Sequence, residues 1–386
     1  MEEWKSYKLS EICDLIPGFA FKSADFGDYT TKAIKIGDIQ PPYVNRESMS
    51  GVNINVYDKK KLSKYLVKRG DFVLAMTGAT IGKIGRYIEN EPAYLNQRVL
   101  LFRPHKSVNP HFVYYSLLSP VFQKYVVNHI DSETAQPNIS GRSVSGYEIT
   151  LPCRKEQDRI ASILSSIDEK IELNTRINHN LLDIAQSLFN EHVAKNSAGL
   201  ENGALTDIAT YLNGIAMQKY PVKDIEAGLH VLKIKELGQG FCDENSDKCT
   251  SAIPDQYIIK DGDIIFSWSG TLLVDYWCGG ICGLNQHLFK VSSNCFPSWF
   301  IYFWTNHHLD RFKRIAQDKA VTMGHIRKTD LEQAKVFIPQ EGDLRELDHL
   351  IGPLMKEFVQ RRLENRKIKI VRDKLLSFLL SERLAI

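Results

Sequence analysis

An α+β architecture is predicted: two tandem mixed α/β domains separated by a long antiparallel two-helix coiled coil and related by a pseudo-twofold internal repeat. Three observations predict it. The chain follows one plan twice, each copy ends in a long segment of helical period, and the two copies share scaffold residues while differing elsewhere. Leu9-Ser10-Glu11-Ile12 answers Leu205-Thr206-Asp207-Ile208, and Ile16, Gly18 and Ala20 answer Leu212, Gly214 and Ala216. Ala33-Ile34-Lys35-Ile36 answers Val231-Leu232-Lys233-Ile234. Gly70-Asp71-Phe72-Val73 answers Gly262-Asp263-Ile264-Ile265, and Thr77-Gly78 answers Ser269-Gly270. Leu95-Asn96-Gln97 answers Leu284-Asn285-Gln286, and Ile149-Thr150-Leu151-Pro152 answers Val336-Phe337-Ile338-Pro339. The order never breaks.

Within each copy the elements follow from local pattern. Ala33 to Ile36, Asp71 to Ala75 and Arg98 to Phe102 read as short strands, rich in aliphatics and bounded by Gly, Asp or Pro. His111 to Val127 has helical spacing, and Ser298 to Ile315 is its counterpart. A polar loop follows in each copy, Asp131 to Gly141 or Asp318 to Lys328, and then a short strand ending in Pro.

After Pro152 the apolar residues recur at threes and fours for about eight turns. The expected seam of the first helix is Ile160, Leu164, Ile167, Ile171, Asn174, Leu181 and Leu188, in a stripe that also takes in Ile184. After Pro339 the second helix offers Leu347, Leu354, Phe358, Arg361, Ile368 and Leu375, with Leu350 and Val371 in the same stripe, and Gly352-Pro353 is a kink candidate. The expected divisions are a first domain at 1–155, a spacer helix at 156–197, a second domain at 198–340 and a C-terminal spacer helix at 341–386. Connectivity makes the two helices antiparallel. Asn174 and Asn178 interrupt one stripe where Arg361 and Asn365 interrupt the other, so Asn174 and Arg361 are expected to meet at the crossing. Residues 157 to 193 make a rod of roughly 55 Å. That length spans on the order of sixteen DNA base pairs.

Bulk composition narrows the function classes. At 386 residues the chain exceeds one ordinary core. It is 43% hydrophobic and 25% charged, an ordinary globular composition, and no eighteen-residue apolar run suggests a membrane span. Met1-Glu2-Glu3-Trp4-Lys5 lacks the pattern of a signal peptide, so a cytoplasmic location is expected. Seven unevenly spaced cysteines fit that compartment. Cys242, Cys249, Cys278 and Cys282 are a loose zinc-ligand alternative to buried thiols. A net charge of +3 leaves nucleic-acid binding to local patches. One such patch is Arg361, Arg362, Arg366, Lys367, Lys369, Arg372 and Lys374.

Catalytic patterns are missing. Gln40-Pro41-Pro42-Tyr43 only approximates an amino-methyltransferase motif, and no Gly-rich cofactor turn accompanies it. Gly78-Ala79-Thr80-Ile81-Gly82-Lys83 is one residue short of a nucleotide-binding loop and has Ile84 where Ser or Thr would hold magnesium. Its backbone N–H groups and Lys83 still suit a DNA phosphate. No metalloprotease, nucleophile-elbow or triad order appears. No cofactor and no metal are expected on this chain.

Two unlike heads, one helical spacer and no catalysis resemble the specificity subunit of type I restriction-modification systems. The strongest local marks are Gly70 to Lys83, Leu95-Asn96-Gln97, Phe19 to Phe26, and Leu151-Pro152 with Glu156-Gln157, Ile160, Leu164 and Ile167 to Ile171. The second copy departs more: Trp268-Ser269-Gly270-Thr271 lacks the following Ile-Gly-Lys, and Gly342-Asp343-Leu344 replaces the Glu-Gln helix entry. The resemblance implies that each head is a target recognition domain reading half of a split site on double-stranded DNA. It implies two modification subunits that carry S-adenosylmethionine and the adenine chemistry, and restriction subunits that complete an ATP-dependent nuclease. The competing readings are a coiled-coil scaffold with two protein-binding ends and a fused DNA methyltransferase or nuclease.

Base edges in the major groove carry the sequence, with amides suited to adenine and Arg or Lys to guanine. Candidate DNA contacts in the first copy are Lys22, Lys35, Thr77, Lys83, Asn96, Gln97, Arg98, Gln136, Asn138 and Arg142. In the second they are Lys219, Lys233, Ser269, Asn285, Gln286, His325, Arg327 and Lys328. Because Asn96-Gln97 and Asn285-Gln286 recur in both copies, bracing of a shared turn stands as the alternative for them.

Overall fold

Phe72-Val73-Leu74-Ala75 sends alternate side chains to opposite faces of a sheet, and both faces are buried. The computed structural model in which this is seen describes residues 4–131, 137–196, 202–222, 228–318 and 326–381. The chain divides into two units, Met1–Glu169 with Val371–Ile386, and Lys170–Ile370.

In the first unit a six-stranded sheet has the order Cys13–Pro17, Val99–Pro104, Phe72–Ala75, Ile84–Arg86, Tyr43–Val44 and Ile39–Gln40. A four-stranded sheet has the order Ser50–Val52, Phe26–Ile34, Ala93–Leu95 and Leu66–Val67. Lys5–Lys8 pairs with Glu148–Leu151. One face of the larger sheet, Phe72, Leu74, Leu100 and Phe102, packs on Phe112 and Tyr115 of the helix Pro110–Leu118. Ile160, Leu164, Leu376 and Leu380 complete that core. The opposite face, Val73, Ala75, Val99 and Leu101, packs on Ile34, Leu95 and Tyr87. Asn109 starts the covering helix by accepting from the backbone N–H groups of His111 and Phe112, with Pro110 at the first helical position.

The second unit repeats this plan. Its first sheet has the order Thr210–Asn213, Leu288–Ser292, Ile264–Ser267 and Leu273–Tyr276. Its second has the order Lys248–Cys249, Leu229–Leu232, Cys282–Leu284 and Ile258–Ile259, and Gly203–Ala204 pairs with Lys335–Val336. The parallel pairing of Ala93–Leu95 with Phe26–Ile34 recurs as the pairing of Cys282–Leu284 with Leu229–Leu232. Among the described residues the first copy alone adds the hairpin of Ile39–Gln40 and Tyr43–Val44, whose turn is Pro41-Pro42. The duplication in the sequence is therefore a duplication of strand order.

Gly18 and Gly214 show why the shared residues are shared. A Cβ at Gly18 would lie 1.8 Å from the Asn96 carbonyl oxygen, and one at Gly214 would lie 2.1 Å from that of Asn285. Only glycine admits such an approach of two backbones.

The long helices are Arg154–Asn196 and Glu341–Ser381, of 43 and 41 residues. The second continues through Pro353 without a break. In the second unit Asn174 and Asn365 are buried in a closed polar ladder. Arg361 Nη1 donates to Asn174 Oδ1 at 2.9 Å. Asn174 Nδ2 donates to Asn365 Oδ1 at 2.9 Å and to Glu364 Oε2 at 2.8 Å. Asn365 Nδ2 donates to the Ile171 carbonyl at 3.2 Å. Asn174 and Arg361 thus meet where the interrupted stripes place them.

The edges of the stripe differ from expectation. Ile184, Leu350 and Val371 are exposed at 51%, 56% and 51%, while Ala185 and Ile351, one position on from the first two, are buried. A straight helix drifts about 20° per heptad against a 3.5-residue repeat, so the buried line moves sideways along it. Ile160, Leu164, Ile171 and Phe358 are buried. Leu181, Leu188, Leu347 and Leu354 lie half-buried against the second core, Leu375 lies half-buried against the first, and Ile167 and Ile368 are half-buried. Phe189 and Met355 of the same helices are buried in the second core, and the spacing passed over them.

Asn174→Leu removes partners from Arg361 and Asn365 without filling a cavity. The expected loss is about 1–3 kcal/mol, read as a lowered urea midpoint. Adding Asn365→Leu should recover part of it, since two apolar side chains suit a seam. A single variant as stable as the parent would show that the ladder contributes no stability.

Candidate nucleic-acid interface

Three short segments converge in the first unit. The Met76 N–H donates to the Arg98 carbonyl at 2.9 Å, and the Ile139 N–H donates to the Met76 carbonyl at 2.9 Å. The Gly78 N–H donates to the Pro137 carbonyl at 3.2 Å, and Thr77 bridges Asn138. Residues 76–78, 96–98 and 137–142 therefore form one surface. The left-handed φ of Arg98, 68°, turns its exposed side chain out of the strand that follows. Gln97, Lys83 and Arg142 are also exposed, and Asn138 is half-buried at the rim.

The second unit repeats the convergence with different side chains. The Ile326 N–H donates to the Trp268 carbonyl at 3.2 Å, and Trp268 Nε1 donates to Asn213 Oδ1 at 2.9 Å. The Trp268 ring lies 5.9 Å from the His287 ring. Tyr211, Asn213, Trp268, Phe289 and Lys328 line an open cavity here. Arg327 and Lys328 are exposed at the start of the helix Lys328–Glu332. Lys219 is exposed on the turn Met217–Lys219, and Gln286 is half-buried beside His287.

Several candidates turn out to serve the scaffold. Thr77, Asn96, Ser269 and Asn285 are buried, which takes their side chains off the surface, and Asn285 Oδ1 accepts from the His287 N–H at 3.3 Å within its own turn. Phe19 and Ile215 bridge Asn96 and Asn285 in the same way. The Lys35 ammonium donates to Ser50 Oγ at 2.9 Å and sits 3.9 Å from the centre of the Phe26 ring. The Lys233 ammonium is paired with Asp247. In the Gly78–Lys83 segment the N–H groups of Gly78, Ile81, Gly82 and Lys83 all donate to backbone carbonyls. Those four cannot cradle a phosphate, and the Lys83 ammonium remains. Lys22 is exposed, and its N–H donates to the Tyr57 hydroxyl at 3.1 Å. Gln136 and His325 lie outside the described residues.

The arginines of the expected basic patch are paired within the protein, while its Lys367, Lys369 and Lys374 are exposed. Arg362 donates both Nη atoms to Asp275 at 2.6 and 2.8 Å, and Arg366 does the same to Asp261 at 2.6 and 2.9 Å. Arg372 Nη1 donates to Asp168 Oδ1 at 3.1 Å, and Arg361 pairs with Glu357 at 2.7 Å. Burial acts to lower the pKa of Arg362, but the hydrogen bond and charge of Asp275 outweigh it and raise the pKa above the usual guanidinium value. The planar guanidinium fork matches a carboxylate, and these forks are used inside the protein.

Cys242 and Cys282 approach to 3.5 Å between sulfurs. Burial pushes the Cys278 thiol up to about 11. Among the described residues no three His, Cys, Asp or Glu side chains are grouped to hold a metal ion, and no helix is long and apolar enough to cross a membrane.

A family model described as the type I restriction modification DNA specificity domain matches residues 1–182. The MjaIX specificity subunit of a type I restriction enzyme from Methanocaldococcus jannaschii is 25% identical over 351 residues, covering 84% of this chain and 80% of its own length. The HindI specificity subunit from Haemophilus influenzae is 28% identical over 194 residues, covering 49% of this chain and 40% of its own length. The crystal structure of the S subunit of a type I restriction-modification system from M. genitalium superposes with a TM-score of 0.56 at 15% identity. That superposition covers 98% of this chain and 96% of that one.

Proposed function

We propose that this chain is a specificity subunit of a type I restriction-modification system, and on that premise we propose how it reads DNA. Each head reads one half of a split, asymmetric site through its three converged segments. The observation that carries this is the repeated convergence with unlike side chains: Met76, Arg98 and Ser140 in one head stand where Trp268, His287 and Arg327 stand in the other. A shared scaffold with different rims suits two half-sites of different sequence. Sequence is read at base edges, so the exposed Gln97, Arg98, Arg142, Arg327 and Lys328, with the half-buried Asn138 and Gln286 at the rim, are the proposed readers. Lys22, Lys83 and Lys219 are proposed phosphate contacts, which set position without setting sequence.

The chemistry lies on partners. Two modification subunits dock on the long helices and heads and supply S-adenosylmethionine for adenine methylation. Restriction subunits complete the nuclease. Similarity to type I specificity subunits and the unlike rims support this division, in which the chain supplies address rather than catalysis.

Co-expression with its modification subunits, followed by mapping of methylated adenines, tests the reading. A split, asymmetric methylated site is expected. Methyl transfer by the isolated chain, or a continuous site, would overturn it. Asn138→Ala should relax one half-site and leave the other unchanged. Equal weakening on every duplex would mark Asn138 as a backbone contact instead.

A further inference from the structure

The first head carries a charge run that the second lacks at the same place in the fold. Asp58–Arg69 contains Lys59, Lys60, Lys61, Lys64, Lys68 and Arg69, six basic side chains against one carboxylate. The equivalent stretch of the second head, Thr250–Asp261, has only Lys260 against Asp255 and Asp261. The equivalence is structural. Leu66–Val67 pairs antiparallel with Ala93–Leu95, as Ile258–Ile259 pairs with Cys282–Leu284.

The five lysines are exposed, and none forms a salt bridge among the described residues. The only carboxylate in the run, Asp58, is taken up by the backbone N–H groups of Lys60 and Lys61. Three consecutive lysines repel one another, and among the described residues no carboxylate forms an ion pair with them. That is unlike the arginines of the second long helix, whose carboxylate partners lie within the protein.

Packing joins this run to the proposed reading surface. The Lys64 ammonium lies 4.8 Å from the centre of the Tyr65 ring, and Tyr65 packs on Phe19 at 5.3 Å. Phe19 bridges Asn96, which precedes the exposed Gln97 and Arg98. Phe19 also packs on Tyr57, whose hydroxyl accepts from Lys22. An uncompensated cationic strip that runs on from a base-reading turn matches the spaced negative charge of a sugar-phosphate backbone. We infer that Lys59, Lys60, Lys61, Lys64 and Lys68 grip DNA phosphates beside the first half-site, as an electrostatic anchor that the second head does not have. The inference rests on the reading of the chain as a DNA-specificity subunit and adds an asymmetry to it: the first head holds the duplex harder than the second.

The test uses the chain assembled with its modification subunits. The variant replaces Lys59, Lys60, Lys61 and Lys64 with Gln, and binding to a cognate and a scrambled duplex is measured across a salt series. Each lost phosphate contact reduces the slope of log affinity against log salt by about 0.9, so a slope shallower by about 2–4 is expected. The loss should be equal on both duplexes, with the methylated sequence unchanged. The matching Lys→Arg variant should keep the parental slope, and Lys260→Gln in the second head should change it by about one contact at most. An unchanged slope would overturn the anchor. So would a loss confined to the cognate duplex with an altered methylated sequence, which marks base readers. Intact DNA binding with lost capture of the modification subunits would assign the strip to an acidic protein face and likewise overturn it. Failure of the wider reading looks different: the parental complex itself would show no salt-dependent binding and no split methylated site, and both proposals would fall.

Discussion

Asp168→Ala is expected to destabilise the first unit by about 3–5 kcal/mol, the cost of leaving the buried Arg86 cation unpaired, while Arg372 keeps Asp373. Asp168 is 2% exposed and lies at the centre of a small network. Tyr115 donates its hydroxyl to Oδ2 at 2.8 Å, Arg372 donates to Oδ1 at 3.1 Å, and Arg86 lies 3.6 Å from Oδ2. The Arg86 guanidinium is walled by the Tyr114 and Tyr43 rings, at 5.2 and 5.6 Å. Burial acts to lower the pKa of Arg86, and its neighbours Tyr114 and Asp168 outweigh that effect. Without Asp168, Arg86 keeps its charge and loses its only salt-bridge partner among the described residues. Hydrogen exchange followed by mass spectrometry locates the effect. Strands Phe72–Ala75 and Val99–Pro104 should exchange faster, and Ile264–Ser267 should not. The triple replacement Asp168→Leu, Arg86→Met and Arg372→Met should recover much of the loss, because packed apolar groups replace a buried ionic cluster at little cost. A single variant with parental exchange would show that water already screens these groups.

The duplication was legible because it is written in apolar residues and glycines, whose identities follow from burial and close approach. Gly18 and Gly214 are the clearest case, since each faces a backbone carbonyl. The meeting of Asn174 with Arg361 was legible too, because a helical period and a reversal of direction determine it. The role of the arginine cluster was not. The partners of Arg362, Arg366 and Arg372 stand 87, 105 and 204 residues away, and no local pattern reports a carboxylate at that distance. Exposed polar residues in repeated loops looked alike in sequence, yet Thr77 and Asn96 face inward while Gln97 and Arg98 face out. One residue of register separates the two roles, which is the resolution that periodicity alone lacks. The lysines of Asp58–Arg69 were readable as a charge run. Their lack of carboxylate partners required coordinates.

Asp275→Ala should cost the second unit about 2–3 kcal/mol, the scale for a charge-assisted, two-pronged hydrogen bond. Both partners keep some contact with water, at 22% and 26% side-chain exposure, so the loss should be smaller than at Asp168. Arg362 is backed by the Phe358 ring at 5.3 Å, so losing Asp275 leaves its charge against an apolar wall. A double-mutant cycle with Asp275→Ala, Arg362→Ala and the pair isolates the interaction. A coupling of about 2 kcal/mol is expected, and a coupling near zero would assign the loss to packing alone. The position also separates holding from reading. Asp275 lies opposite Ile265, on the strand beside Ile264–Ser267, and that strand leads into Trp268, Ser269 and Gly270. Asp275 supports the turn without belonging to it. The variant should therefore lose methylation at a lower temperature while methylating the same sequence. Asn138→Ala should do the reverse, keeping thermal stability and relaxing one half-site. If Asp275→Ala instead changed which bases are methylated, the turn it supports would have moved, and reading and holding would not be separable in the second head.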